Sequence, residues 1–165
     1  MTSGPDVEAA AQAAIELLIQ TGQTIGTAES LTGGLVAAAL TTIPGSSAVV
    51  RGGIVAYAAD LKNSLLSVPA DLLDRVGAVH PDVALAMASG ARNRLKATIG
   101  VATTGVAGPD PADGQPVGTV HIAVSTPARV IYESLDLSGD RAEIRRATVC
   151  RLLGLLTRTV LEDIA

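Results

Sequence analysis

Residues 24–43, TIGTAESLTGGLVAAALTTI, decide the fold. TIGTA at 24–28 reads as a short buried strand. LVAAALTTI reads as a helix, stopped before Pro44 because a proline pushes the residue ahead of it out of the helical region. SLTGG lies between them. A strand, a glycine-containing loop and a helix in that order make the first half of an α/β unit.

Upstream, VEAAAQAAIELLIQ at 7–20 is free of Gly and Pro, which predicts a helix ended by Gly22. Downstream, VVRGGIVAYA at 49–58 is rich in β-branched residues and reads as a strand bulged at Gly52-Gly53. Asp60 is placed to cap a short helix through Leu66, residues 70–76 make another turn or two, and Pro81 opens a long helix over 81–95. ATIGVATTG at 97–105 is a strand entering the loop GVAGPDPADGQPVG. VGTVHIAVST and ARVIYESLDL are two strands joined by a turn at Pro127, a hairpin. The last stretch, from Asp140 onward, is an amphipathic helix with Ile144, Thr148, Leu152, Leu155 and Leu156 on one face. The expected fold is a single α/β domain over 1–165. It is a three-layer α/β/α sandwich with a mixed, mostly parallel sheet, and the C-terminal hairpin supplies the antiparallel part.

Composition narrows the function. Of 165 residues 48% are hydrophobic, enough for a sizeable core, but there is no Phe or Trp and only Tyr57 and Tyr132. The net charge of -4, without a Lys/Arg-rich run, argues against nucleic-acid or membrane-surface partners. No apolar stretch reaches the ~18 residues of a membrane span, and the acidic N-terminus is no signal peptide. The lone Cys150 excludes an internal disulfide and a cysteine-cluster zinc site, which fits a reducing, cytoplasmic setting. No metal and no cofactor are expected, and an aliphatic chain with few charges suggests a homodimer.

Ligands of open α/β sheets gather beyond the carboxyl ends of strands. If the strands at 24–28, 53–57 and 98–104 run parallel, their loops open on one crevice. Ser30, Thr32, Gly33 and Gly34 precede a helix, whose free N–H groups suit an anion or oxyanion, although Ser and Thr are equally ordinary helix caps. A serine hydroxyl needs a base to become a nucleophile. His80 sits at a helix start and His121 inside a strand, and neither is aimed at Ser30. Lys62, one helical turn beyond Tyr57, is the better candidate, since serine–lysine pairs are a known variant of the catalytic triad. Such a lysine works only when neutral, hence buried or beside a cation. Tyr57 orients the pair, stacks on a ring, or is a plain strand aromatic. Arg141 and Arg145 share a helix face in its first turns, where the dipole prefers acids, so they either serve an anion or pair with Asp140 and Glu143.

TAESLTGG, PGSSAVVRGGIVAYAADLK, TTGVAGPD, PVGTVH and SGDRAEIRR occur in the order typical of the CinA C-terminal family. The chain resembles that family from about residue 7 to 162, at a length similar to its stand-alone nicotinamide-mononucleotide deamidases. The larger members carry an extra N-terminal domain. The resemblance implies an α/β/α sandwich that hydrolyses the nicotinamide carboxamide to a carboxylate and ammonia. It implies Ser30 as nucleophile, Lys62 as its base and Tyr57 alongside, with Thr104 and Arg145 lining the site. Gly105, Gly108, Arg141 and Glu29 join the expected substrate-binding set, Glu29 as a complement to the pyridinium charge. The Thr32–Gly34 amides are expected to hold the oxyanion. Two departures stand out: Leu31 where the family often has Cys, and Thr103 or Thr104 where it often has Ser. The rival readings are a non-catalytic nucleotide-binding module, amide hydrolysis of another nucleotide, and a competence- or DNA-damage-associated partner protein.

Overall fold

The computed structural model describes residues 6–165. Helix α1, Val7–Thr21, starts at Asp6, whose side chain accepts the Ala9 N–H, and ends at Gly22 in the left-handed conformation. Strand β1, Ile25–Glu29, leads through the SLTGG loop into α2, Leu35–Thr42. Strand β2, Val50–Val55, is followed by three helices: α3, Ala59–Leu66, α4, Ala70–Val76, and α5, Pro81–Arg94. Strands β3, Ile99–Gly105, β4, Thr119–Ser125, and β5, Val130–Asp136, complete the sheet, and α6, Arg141–Ile164, closes the chain.

The sheet order is β2-β1-β3-β4-β5. β1 pairs in parallel with both β2 and β3, while β3–β4 and β4–β5 are antiparallel. The sheet is therefore evenly mixed rather than mostly parallel, because the 106–118 loop returns the chain directly alongside β3 without a crossover helix. Two smaller expectations also change. The register slips opposite Ile25/Gly26, leaving Arg51 unmatched, so the bulge falls one residue before Gly52-Gly53. The N-cap of α3 is Ala58, without a side-chain bond, and Asp60 lies inside the first turn instead.

The two faces of the sheet are built differently, and strand alternation explains why. Ile25, Ile99, Val101, Val120, Ile122 and Val124 point toward α1, α2 and α6, where branched aliphatics fill the thicker layer. Ala28, Ala102 and Ala123 point toward α3, α4 and α5. Small residues there let α5 lie almost on the strands. A Cβ on Gly100 would come 2.0 Å from the Ala88 carbonyl oxygen, and one on Gly90 would come 2.1 Å from that of Leu66. α6 contributes the stripe read from its pattern: Ile144, Thr148, Leu152, Leu155 and Leu156 are all buried. No helix among the described residues is long and apolar enough to cross a membrane.

Candidate active site

β1 and β3 are neighbours, yet β1 connects onward to β2 on its other side. Their carboxyl ends therefore flank a topological switch point, where a crevice opens. The alternation that sorts the core continues past the strand ends. Ser30 follows Gly26 and Ala28 onto the α3/α5 side, and Thr104 follows Gly100 and Ala102 there. Both line a cavity of about 210 Å³ together with Leu31, Tyr57, Lys62 and Arg141. The 77–79 turn and the 105–113 loop supply the remaining walls.

Inside this cavity Lys62 is only 1% exposed, and Ser30 is 8% exposed. Lys62 Nζ donates to Ser30 Oγ at 2.9 Å and to the Ala56 carbonyl at 2.8 Å, with a longer bond of 3.4 Å to the Tyr57 carbonyl. These acceptors aim the amine at the serine. Burial pushes the Lys62 ammonium down from 10.5 to about 8, and the carboxylate of Asp113 opposes that fall. A lysine so placed spends a useful fraction of its time neutral near pH 8, as a general base must. Neither histidine lines the cavity. His80 caps α5, its Nδ1 accepting the Asp82 N–H, and His121 bonds Ser134 across the β4–β5 pair at 2.8 Å. Among the described residues no group of His, Cys, Asp and Glu is arranged to hold a metal. A larger apolar groove of about 540 Å³ between α1 and α6 carries no nucleophile–base pair.

The neighbours of Ser30 divide by face. Glu29 and Thr103 point to the α2/α6 side. Glu29 is buried and accepts the N–H groups of Gly34, Val36 and Ala37, capping α2 from behind. Its carboxylate is committed to the helix and does not reach the cavity. Thr103 bonds the Thr32 hydroxyl at 2.8 Å and receives the Ser30 N–H on its carbonyl. Thr32, Gly33 and Gly34 are thus loop supports rather than cavity walls. The Gly33 amide donates to the Ser30 carbonyl and the Gly34 amide to Glu29, so neither is free for an oxyanion. Leu31, at the cavity wall, and Thr32 donate their N–H groups to no acceptor among the described residues.

The two arginines separate as well. Arg141 lines the cavity and joins two of its walls, donating to the Gly108 carbonyl at 2.6 Å and to the Tyr57 hydroxyl at 3.0 Å. Arg145 lies on the far side of the SLTGG turn, donating to the Leu31 and Thr32 carbonyls, and does not line the cavity. Neither pairs with Asp140 or Glu143, which form a capping box with each other at the start of α6. Thr104 Oγ1 donates to the Ala78 carbonyl at 2.7 Å, and Gly105 and Gly108 stand in the wall beside it. Asp110 and Asp113 also line the cavity. Neither is among the residues singled out from the sequence; their signal there is a pair of acids in a Gly/Pro loop that follows a strand.

The family model for the CinA C-terminal domain matches residues 7–160. The chain belongs to the CinA C-terminal domain family. Within that family it is 51% identical over 142 residues to a CinA-like protein of Frankia casuarinae, covering 86% of this chain and 33% of that protein. It is 45% identical over 161 residues to a CinA-like protein of Gloeobacter violaceus, covering 96% of this chain and 38% of that one. The chain thus spans little more than a third of the length of these curated relatives. Among solved structures, the competence/damage inducible protein CihA from Agrobacterium tumefaciens superposes with a TM-score of 0.88 at 42% identity, covering 94% of this chain and 97% of that one. A CinA superfamily protein from Klebsiella pneumoniae superposes with a TM-score of 0.92 at 28% identity, over 95% and 99% of the two chains. The mixed five-stranded sheet flanked by helices is the CinA fold.

Proposed function

We propose that this chain is an amidohydrolase that converts nicotinamide mononucleotide to nicotinate mononucleotide and ammonia through an acyl-Ser30 intermediate. The observation that carries the reading is the 2.9 Å contact between Lys62 Nζ and Ser30 Oγ in a cavity at the switch point of the sheet. Neutral Lys62 takes the Ser30 proton as Oγ attacks the carboxamide carbon. The Leu31 amide at the cavity wall stabilises the developing oxyanion, an effect worth roughly 3 kcal/mol per donor. The Lys62 ammonium then returns its proton to the nitrogen, ammonia leaves, and a nicotinoyl ester remains on Ser30. Water, activated by the same lysine, hydrolyses that ester and regenerates the hydroxyl.

At about 210 Å³ the cavity is smaller than the roughly 300–1,000 Å³ of pockets that engulf whole ligands. It suits the ring and its amide, with the ribose phosphate extending past Arg141. That guanidinium, at the exposed Tyr57 edge, is the cation for the phosphate, and Arg145 holds the nucleophile's turn in place. Tyr57 acts through its carbonyl on Lys62 and its hydroxyl on Arg141. The test is product analysis: incubation of the chain with nicotinamide mononucleotide yields equal amounts of ammonia and nicotinate mononucleotide. Binding of the nucleotide without either product would instead favour a nucleotide-binding module.

A further inference from the structure

The 105–113 loop brings to the cavity two carboxylates, Asp110 and Asp113, that the reaction scheme does not use. Asp113 is the more firmly placed. Its backbone sits at φ 51°, a left-handed conformation that Asp and Asn tolerate better than most residues. Its Oδ2 accepts the Ala78 N–H at 3.1 Å, and the Ala78 carbonyl accepts the Thr104 hydroxyl. One residue therefore ties the carboxylate to the end of β3.

Asp113 influences Lys62 through space, without a direct ion pair. The other ionisable groups around Lys62 are Asp110 on the same loop, Arg141 on α6, Tyr57 between β2 and α3, and Asp60 on its own helix. The 77–79 turn contributes none. The cavity thus carries both signs of charge: a guanidinium marks the Gly108–Tyr57 edge, and the solvent-exposed Asp113 carboxylate stands on the loop wall, anchored to Ala78. A substrate with a cation at its amide end and an anion at the other matches those two charges.

We propose that Asp113 is a specificity-determining residue, selecting an amide carried on a cationic ring and exchanging its partnership with the Lys62 ammonium for that ring. The proposal rests on the amidase reading above. In the empty cavity Asp113 favours the protonated lysine. A ring cation takes over the carboxylate and places a like charge beside the ammonium, and both changes drive one proton from Lys62 to solvent. The lysine then becomes the neutral base when the cationic substrate arrives.

The test uses two nucleotides that differ in ring charge, nicotinamide mononucleotide and its reduced form with a neutral dihydropyridine ring. Binding to the full chain is measured by calorimetry in a Ser30→Ala background, which prevents turnover. Asp113→Asn keeps the acceptor for Ala78 and tolerates the same backbone. The cation is expected to bind more tightly than the neutral ring, and Asp113→Asn to shrink that preference about fivefold. Proton release on binding the cation, read from the buffer dependence of the enthalpy, should shrink with it. An unchanged preference overturns the proposal while leaving the amidase reading intact if the native chain still releases ammonia. Equal losses in Asp110→Asn and Asp113→Asn would assign the effect to net charge and overturn it too. Failure of nicotinamide mononucleotide itself to bind would overturn both readings.

Discussion

Lys62 Nζ and Ser30 Oγ stand 2.9 Å apart although 32 positions separate them in the chain. The amine is held by two backbone carbonyls and has no carboxylate bonded to it, so its charge is set by burial and by Asp113 at longer range. In the proposed mechanism the working form of the unliganded chain is the neutral amine. kcat/KM for amide hydrolysis should therefore rise with pH, reach half its plateau near pH 8, and level off above. Lys62→Arg, which keeps the charge but not the titration, should lower it by about 100-fold or more. A profile flat from pH 6 to about 9 would exclude Lys62 as the base.

The same lysine links stability to pH. Its folded value, about 8, lies below its ordinary 10.5, so between those limits the unfolded chain binds more protons than the folded one. Stability must then rise with pH through that window, with the burial penalty fully present below about 8 and gone above 10.5. Lys62→Met has no such proton. The stability of the native chain relative to this variant should increase by about 3 kcal/mol across the window in urea denaturation. A difference that stays constant would show that Lys62 is not desolvated.

Arg141, not Arg145, is the cation on the cavity wall. Arg141→Met should raise KM for nicotinamide mononucleotide about tenfold, the order of one lost charge-assisted contact, and leave kcat nearly unchanged. With the phosphate-free riboside the same substitution should have little effect. Equal losses on both substrates would place the phosphate elsewhere.

Much of the fold was legible because its signals are local. The apolar and β-branched runs, Gly22, Pro44 and Pro81 bound most elements to within a residue or two, although the strand read at 49–58 ends three residues early at Val55, and the stripe from Ile144 to Leu156 is a plain helical period. The parity of the sheet was not legible. Nothing in the 106–118 loop says that β4 turns back beside β3 instead of crossing over. For the site, Ser30, Lys62, Tyr57, Thr104, Gly105, Gly108 and Arg141 meet at one cavity, whereas Glu29, Thr32, Gly33, Gly34 and Arg145 do not line it. For Glu29 the reason is the period of a strand, whereas Thr32, Gly33 and Gly34 lie in the turn beyond it and Arg145 packs against the far side of that turn. Adjacent residues point to opposite faces, so Glu29 and Thr103 are carried away from the cavity by the alternation that delivers Ser30 and Thr104 to it. A motif read as a block hides that division.

Glu29 illustrates the cost of the hidden face. Its carboxylate accepts three N–H groups at the start of α2. Glu29→Ala should leave all three unpaired, that of Val36 in a buried position, lowering stability by about 2 kcal/mol, and Glu29→Gln should cost less because it keeps two acceptor directions. Chemical denaturation measures both. Full stability in Glu29→Ala, with loss of activity alone, would return Glu29 to the substrate side of the loop.

The proposed mechanism stands or falls on Ser30 as the nucleophile of an amide hydrolysis. Ammonia release from nicotinamide mononucleotide, compared between the native chain and Ser30→Ala with nucleotide binding measured in parallel, tests it most directly. Ammonia is expected from the native chain and none above background from Ser30→Ala, with binding retained. Undiminished release from Ser30→Ala, or none from the native chain, would contradict it.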